Sequence, residues 1–163
     1  MLSLDIARAF DSVNHIRLLE NLRAKGLPRQ FIQMIRSFLD QRKTTLMVDG
    51  REIGPRDLHV GVSQGSPLSP ILFLFYNGML LDRLENTTLP ISLLGFADNT
   101  NLLAFGDTTS SNCNALEEAY RICEEWVESH DMTFALQKYT LIHFTRRRHQ
   151  QIQAPAHLGH ITV

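Results

Sequence analysis

The sequence predicts an α+β fold in which an antiparallel sheet is backed by helices. Three observations support this fold class: short alternating apolar runs typical of strands, longer apolar runs with helical spacing, and turn residues that join neighbouring strands as hairpins. The predicted order is strand, two helices, hairpin, helix, hairpin, helix and strand. The 163 residues, 44% of them hydrophobic, are sufficient for one domain with a sizeable core.

The first strand and the first two helices follow from the spacing of apolar residues. Apolar and polar side chains alternate in residues 2–6, which is typical of a short strand and places Asp5 within it. Residues 15–25 have helical spacing, and Gly26 stands where a left-handed cap would end the helix. Pro28 then opens a second helix. The residues expected on its apolar face are Phe31, Met34, Ile35, Phe38 and Leu39.

A hairpin, a loop and a long helix are expected next. Residues 44–48 and 58–60 read as the two arms of the hairpin, with an Asp-Gly turn at 49–50. Glycine and proline make residues 61–67 a loop, and an apolar helix follows at 68–85.

The residue pattern in the last part of the chain predicts a second hairpin, a helix and a strand. Residues 91–95 and 102–105 are strand-like, and residues 96–99 lie between them with turn-forming side chains at their end. Residues 139–144 read as the final strand. The Glu-rich helix before it is expected to bury Ala115, Ala119, Ile122, Cys123 and Trp126.

Composition excludes several classes of protein and leaves others open. Sixteen Lys and Arg against 17 Asp and Glu give a net charge of -1, so bulk charge does not indicate a nucleic-acid binder. Cys113 and Cys123 lack the spacing of a zinc site or a disulfide framework and are expected to be free thiols in a reducing compartment. The most apolar stretch, residues 71–81, is too short to span a bilayer, and no signal peptide is seen. A soluble intracellular protein is therefore expected.

Asp5 and Asp98 are the first candidates for chemistry. Each lies in or beside a short apolar strand, where an ionised carboxylate is costly unless it is compensated. A hard divalent cation is one such compensation, because Mg²⁺ uses one or two carboxylates together with substrate phosphates. Taken alone, aspartates at strand ends and turns are more often structural.

Four segments of the sequence carry a family resemblance. They are LDIARAFD at 4–11, GVSQGSPLSP at 61–70, GFADNTNLL at 95–103 and FALQKYTLIHF at 134–144. In this order they resemble the palm motifs of reverse transcriptases, the RNA-directed DNA polymerases, of the non-LTR (LINE-like) retrotransposon type. The resemblance implies a polymerase palm-like fold, with a palm core at 1–145 and a basic, partly irregular tail at 146–163. That tail carries three arginines at 146–148 that could meet a phosphate backbone, and 157–163 resembles the start of a further palm strand.

The resemblance implies a metal site. Two Mg²⁺ (or Mn²⁺) ions would be held by Asp5 and Asp98, with the backbone carbonyl of Ile6 helping to hold the nucleotide-associated ion. Lys138 would protonate or stabilise the departing pyrophosphate, although a surface role is the ordinary explanation of a single lysine.

The resemblance also implies a nucleotide site. Phe10 would pack beneath the sugar of the incoming nucleotide and exclude a 2′-hydroxyl, and Gln64 and Gly65 would touch the nucleotide and the template base pair. Without the motifs, Phe10 is better explained as a core aromatic. The loop is then a simple helix start capped by Ser66 or Ser69. The implied partners are an RNA template, a DNA primer and deoxynucleoside triphosphates, and the implied location is the nucleus.

Two departures from the family pattern affect the expected activity. Asn99 stands where a second aspartate is normal, so weaker metal binding and a slow or absent reaction are expected. Asp11 is not expected to replace it, because Asp11 belongs to the turn into the helix. The fingers and the thumb are expected to be missing.

Two alternatives stay open from the sequence. The first is a non-catalytic nucleic-acid-binding or scaffold domain that keeps the palm fold. The second is another metal enzyme with a palm-like sheet, such as a nucleotide cyclase, against which the loop at 64–67 argues.

Overall fold

A computed structural model describes residues 1–145 and 154–163. The described chain divides into two compact units, one formed by Met1–Ala7 with Asn77–Val163 and the other by Arg8–Tyr76. The arginines at 146–148 lie outside the described residues.

The helices and strands follow the predicted order. The strands are β1 (Leu2–Asp5), β2 (Lys43–Val48), β3 (Arg51–Asp57), β4 (Ile91–Phe96), β5 (Asn99–Ala104), β6 (Thr140–Leu141), β7 (His157–Leu158) and β8 (Ile161–Thr162). The helices are α1 (His15–Ala24), α2 (Arg29–Leu39), α3 (Leu68–Glu85) and α4 (Thr109–Ser129), with short 3-10 turns at Ala9–Ser12 and Leu136–Lys138. No helix in the described ranges is long and apolar enough to cross a membrane.

The first unit contains a four-stranded antiparallel sheet in the order β4-β5-β1-β6. Leu2 lies opposite Leu102 and Leu4 opposite Thr100, and all four are fully buried on one face of the sheet. Helix α4 packs against β5. Ala115, Ala119, Cys123 and Trp126 are buried as predicted, whereas Ile122 is only half-buried.

The final strand is shorter than predicted. Residues 139–144 were expected to form it, but only Thr140 and Leu141 do. They pair with Ser3 and Leu2 at the start of β1. Two hydrogen bonds between the backbones of Ile142 and Met1 continue the pairing by one residue beyond Leu141.

The second unit begins with two helices that pack against each other. The Asn14 side chain caps α1 by accepting hydrogen bonds from the N–H groups of Ile16 and Arg17, and Gly26 has the predicted left-handed conformation (φ +76°). The predicted apolar face of α2 is right in part, since Ile35 and Leu39 are buried and Phe38 is half-buried. Phe31 and Met34 are 42% and 50% exposed, and the buried residues are Ile32, Ile35 and Leu39. The elements that pack against an amphipathic helix decide which of its faces is buried, and α2 packs against α1.

The hairpin of the second unit is confirmed, but its second arm is misplaced in the prediction. The Asp49-Gly50 turn has positive φ at both residues, as a two-residue hairpin turn requires. Strand β3 starts directly after the turn, and residues 58–60 are not part of it. A register shift between Thr44 and Leu46 leaves Pro55 out of the ladder, which is how the strand tolerates a residue without an N–H.

The loop at 61–67 and helix α3 occur where they were predicted. Gly61 (φ +82°) lies so close to the Asp11 backbone that an added Cβ would be 3.0 Å from its carbonyl oxygen. The Ser66 hydroxyl accepts a hydrogen bond from the N–H of Leu68 and so caps the start of α3. Ser69, the other predicted cap, is buried instead.

The two cysteines are free thiols, as predicted, and both are buried. Burial raises the pKa of the Cys123 thiol to about 12 and also raises the pKa of the Cys113 thiol. Neither is therefore a reactive thiolate near neutral pH.

Candidate active site

The strand register brings Asp5 next to the β4–β5 hairpin. Asp5 lies directly opposite Asn99, and the N–H of Ile6 donates a hydrogen bond of 3.2 Å to the carbonyl oxygen of Asp98. Opposite residues of antiparallel strands have Cα atoms about 4.5–5.5 Å apart. The two predicted ligand positions therefore lie at the same end of one sheet, Asp5 in β1 and Asp98 in the turn that leads into the adjoining β5.

The hairpin that carries Asp98 is tighter than the sequence predicted. Residues 96–99 were expected to lie between the strands, but the ladder continues until Phe96 pairs with Asn99. The turn is reduced to Ala97 and Asp98, and Ala97 has a left-handed φ of 51°. Asn99 is thus a strand residue facing Asp5, and its amide N–H donates to the Asp98 carboxylate at 3.4 Å.

Lys138 contacts Asp5. Its Nζ lies 3.0 Å from Asp5 Oδ1, and the side chains are 58% and 13% exposed, respectively. Backbone hydrogen bonds hold this segment along the end of β1, from the N–H of Ala135 to the Asp5 carbonyl (2.8 Å) and from the N–H of Ala7 to Thr133 (2.9 Å). Because the carboxylate is nearly buried, the ammonium provides the compensating charge that such a position requires.

An aromatic cluster that sequence reasoning missed supports the Lys138 turn. The rings of Tyr139, Tyr120 and Phe134 contact one another with centroid separations of 5.8–6.2 Å. The Tyr139 hydroxyl donates to the Tyr120 hydroxyl at 3.2 Å, and that hydroxyl donates to Glu124. Burial raises the pKa of both tyrosines, and the hydrogen bond to Tyr120 adds to the shift at Tyr139. The residue after Lys138 is thereby fixed to α4.

Phe96 is another residue near the candidate site that the sequence analysis did not predict. Residues directly opposite each other across a sheet point to the same face, so Phe96, Asn99 and Asp5 form one row across three strands. The Phe96 ring is 77% exposed. Phe96 is on the exposed side of β4 with Ser92 and Leu94, so continuing the period-2 spacing of that strand to residue 96 could have identified it.

The predicted nucleotide residues lie in the second unit. Phe10 is half-buried and its ring centroid is 5.3 Å from that of Phe73, which is the packing expected of a core aromatic. The N–H of Val62 donates to the Phe10 carbonyl at 2.8 Å, so Phe10 lies beside the loop. Gln64 and Gly65 are exposed, and Gln64 Nε2 donates to Asp11 Oδ1 at 3.0 Å. Gly65 has a φ of +87° with open space around it, so its backbone conformation is what favours glycine there.

The residues of the first unit offer oxygen ligands suited to a hard divalent cation. They are the Asp5 and Asp98 carboxylates and the amide oxygen of Asn99. No group of three or more His, Cys, Asp or Glu side chains that could hold a metal occurs in the described part of the chain. Two carboxylates with few other protein ligands suit Mg²⁺, which takes its remaining ligands from water and substrate phosphates, and do not suit a Zn²⁺ site.

Comparisons with known proteins show the family to which the chain belongs. A family model described as reverse transcriptase (RNA-dependent DNA polymerase) matches residues 1–160. The Pol polyprotein of the type-1 retrotransposable element R2 from Popillia japonica is 34% identical over 128 residues, which are 74% of this chain and 21% of that protein. The RNA-directed DNA polymerase of the mobile element jockey from Drosophila melanogaster is 28% identical over 148 residues, 88% of this chain and 16% of that protein.

The solved structures confirm the fold. Telomerase from Candida albicans, in complex with a fragment of telomeric RNA, superposes with a TM-score of 0.62 at 14% identity, covering 88% of this chain and 28% of that chain. The chain spans about a fifth or less of the length of these curated relatives. The palm-like polymerase fold and the resemblance to non-LTR retrotransposon enzymes are both confirmed. Because the family model spans residues 1–160, this chain belongs to the reverse transcriptase (RNA-dependent DNA polymerase) family.

Proposed function

We propose that this chain is the palm portion of an RNA-directed DNA polymerase that extends a DNA primer on an RNA template with deoxynucleoside triphosphates. The observation that carries the proposal is the register of Asp5 against Asn99, which sets the Asp98 turn beside β1. We place the palm core at residues 1–145 and a basic tail at 146–163. In the reaction, the primer 3′-hydroxyl attacks the α-phosphate and pyrophosphate leaves.

We assign the divalent ions to Asp5 and Asp98, with the Asn99 amide oxygen and the Ile6 carbonyl as neutral ligands. Bound Mg²⁺ or Mn²⁺ would supply charge neutralisation at the attacking and leaving oxygens. Asn99 contributes an oxygen but no charge, so the site carries one negative charge fewer than a site with three aspartates. Weak ion binding and slow synthesis follow from that difference.

Lys138 has two properties that suit the departing pyrophosphate. Its ammonium is an acid and a cation, and more than half of its side chain is exposed, so it can leave Asp5 for a phosphate oxygen. The same contact opposes ion binding, because an ammonium on Asp5 Oδ1 occupies an oxygen that the divalent ion needs. We therefore expect ion binding and release of Lys138 from Asp5 to be coupled.

The second unit supplies the proposed nucleotide contacts. The packing of Phe10 on Phe73 would make it a fixed, bulky wall that selects deoxyribose, as its place in the motif implies. Gln64 keeps a free amide oxygen while its Nε2 donates to Asp11, so it can still accept from a base or a sugar. Gly65 leaves room for a template base pair to approach the backbone.

Mn²⁺ binding, followed by electron paramagnetic resonance, tests the proposed ion site directly. We expect weak binding by the parent chain, about tenfold tighter binding by Asn99→Asp, and loss of binding by Asp5→Asn. Serine substitution of Asp107, an exposed residue outside the site, is the matched control and should leave binding unchanged. Equal binding by the parent and Asp5→Asn would refute the assignment.

Primer extension on an RNA template tests the proposed reaction. The parent chain is expected to give no measurable extension, and Asn99→Asp is the variant in which extension should first appear. Robust synthesis by the parent would show that Asn99 is not the defect we infer.

A second function is favoured by the same asparagine. With a neutral amide opposite Asp5, the fold could serve as a non-catalytic nucleic-acid-binding or scaffold domain. Nucleic-acid binding without extension, in both the parent and Asn99→Asp, would support this alternative.

A further inference from the structure

Charge is distributed unevenly between the two units. Arg8–Tyr76 contains ten Lys and Arg against six Asp and Glu, whereas the other unit contains six against eleven. The overall net charge of -1 conceals this difference. The second unit therefore carries an excess of positive charge, which favours an anionic partner.

A cleft on α1 and α2 concentrates that positive charge. The cleft has a volume of about 450 Å³, and the residues that line it, here called the Arg cleft, are Arg23, Leu27, Arg29, Ile32, Gln33 and Arg36. Among the described residues, no carboxylate lines it. All three arginines are exposed, and within residues 1–145 and 154–163 none of them forms an ion pair. Their charge is therefore not neutralised within the described chain.

The arrangement of the Arg cleft suits an extended anion. Arg29, Gln33 and Arg36 are spaced four and three residues apart, so they share one face of α2. Arg29 and Arg36 are separated by about 10 Å along the helix axis. Pro28 gives α2 no side-chain cap and its first turn has no acidic residue, so the positive end of the helix dipole adds to Arg29.

A neighbouring cleft differs from the Arg cleft because acidic side chains line it. That cleft, of about 430 Å³, is also lined by Arg36 and Arg42, but Asp40 and Asp57 line it as well. Arg42 is already engaged, since its Nη1 donates to the Gly61 carbonyl at 2.7 Å. The arginine and aspartate charges of that cleft balance, whereas the arginine charges that line the Arg cleft are in excess.

We propose that the Arg cleft binds the phosphate backbone of a nucleic-acid strand. Guanidinium groups match phosphate oxygens in a bidentate geometry, and Gln33 adds a neutral donor between them. The roughly 10 Å between Arg29 and Arg36 along the helix axis lets the cleft contact more than one phosphate of the same strand. The contact is with phosphates only, so it is independent of base sequence. The proposal deepens the proposed function by adding a second place at which template or primer is held.

Binding of a short labelled RNA by the intact chain, followed by fluorescence anisotropy over a range of salt concentrations, tests the proposal. We compare the parent with R23Q/R29Q/R36Q and with the matched control K43Q/R51Q/R56Q, which removes three exposed charges from the hairpin of the same unit. The cleft variant should bind more weakly, and its slope of log affinity against log salt should be shallower by about two. The control should change both quantities much less.

A lysine variant and two competitors distinguish a phosphate contact from other causes of weaker RNA binding. The variant R23K/R29K/R36K keeps the charge and should recover most of the salt slope, which a misfolded protein would not do. Equal weakening by the cleft and hairpin variants would overturn the proposal in favour of general charge attraction. Competition by polyglutamate or by inorganic phosphate as strong as that by unlabelled RNA would overturn it in favour of an acidic protein or a free anion.

The experiment is performed in EDTA without divalent ions. Failure of the polymerase proposal would appear as absent ion binding, or as absent extension by Asn99→Asp, and it would leave this result unchanged. Failure of the Arg cleft would appear as an unchanged salt slope, whatever the outcome at Asp5.

Discussion

The ammonium of Lys138 lies 3.0 Å from Oδ1 of Asp5, a residue 133 positions away in the sequence. The nearly buried carboxylate of the candidate ion site is thus compensated by a side chain of the protein itself. A lysine and a divalent ion that share one oxygen are competitors, and this competition can be measured.

Replacing Lys138 with Gln is expected to lower stability and raise ion affinity. The free energy of unfolding should fall by about 1 kcal/mol, because the lysine is mostly exposed and its charge is screened. Mn²⁺ affinity should rise about fivefold, since a charge about 4 Å away in water contributes about 1 kcal/mol. Urea unfolding and Mn²⁺ titration measure the two effects.

Arg121→Gln is the matched control for Lys138→Gln. Arg121 pairs with Glu118 on the exposed surface of α4, so its loss should change stability little and ion affinity not at all. A rise in Mn²⁺ affinity in this variant would show that general charge, and not release of Asp5, is the cause.

Ala97→Gly is expected to stabilise the turn that carries Asp98. Ala97 has a left-handed φ of 51°, a conformation that costs an L-residue roughly 1 kcal/mol and costs glycine almost nothing. The gain should be about 0.5–1 kcal/mol in the free energy of unfolding, measured by urea denaturation. Ala104→Gly, within β5, should instead destabilise the protein, and a loss of stability in both variants would mean that the turn is not strained.

Several predicted features that depend on local spacing were confirmed, whereas two that depend on neighbouring elements were wrong or only partly right. Helix α3 and the Gly26 cap follow from residues close in sequence, and both occur where the spacing placed them. The phase of α2 depends on its packing against α1, and the ladder from Phe96 to Asn99 depends on β1 lying alongside. Neither neighbour is visible in the spacing of a single segment.

The residues of the candidate site were also predicted only in part. The motifs pointed to Asp5, Asp98 and Lys138 as residue types, and their grouping in one unit is consistent with that selection. The exposed Phe96 ring and the Tyr139–Tyr120 hydroxyl pair were missed, because both follow from contacts across the sheet and across α4.

Removal of the Cys123 thiol is expected to reduce the decrease in the free energy of unfolding that occurs as pH rises into the alkaline range. Burial raises its pKa from 9.0 to about 12, so the folded state keeps the proton that the unfolded state releases. The resulting stability is complete below pH 9 and is lost as pH rises, at up to about 1.4 kcal/mol per pH unit between about pH 9 and pH 12.

Unfolding free energies of the parent and Cys123→Ala, measured at several pH values from about pH 8 to pH 10, test this expectation. The comparison uses the slope against pH, because the alanine also leaves a cavity that lowers stability at every pH. Parallel slopes for the two proteins would show that the thiol does not titrate differently in the folded and unfolded states.

Phe96→Ala is expected to weaken nucleic-acid binding while leaving the free energy of unfolding nearly unchanged. The ring is 77% exposed, so its loss should change the free energy of unfolding by no more than about 0.5 kcal/mol, whereas the fully buried Phe73 should cost about 3–5 kcal/mol when replaced by alanine. Because Phe96 shares a row with Asn99 and Asp5, its exposed ring is available for stacking on a nucleotide held at the ion site. Affinity for a short primer-template, measured in Mn²⁺, should fall about tenfold in Phe96→Ala and be retained in Phe96→Tyr, since the tyrosine keeps the aromatic face. An unchanged affinity in Phe96→Ala would mean that the exposed ring serves no nucleic acid.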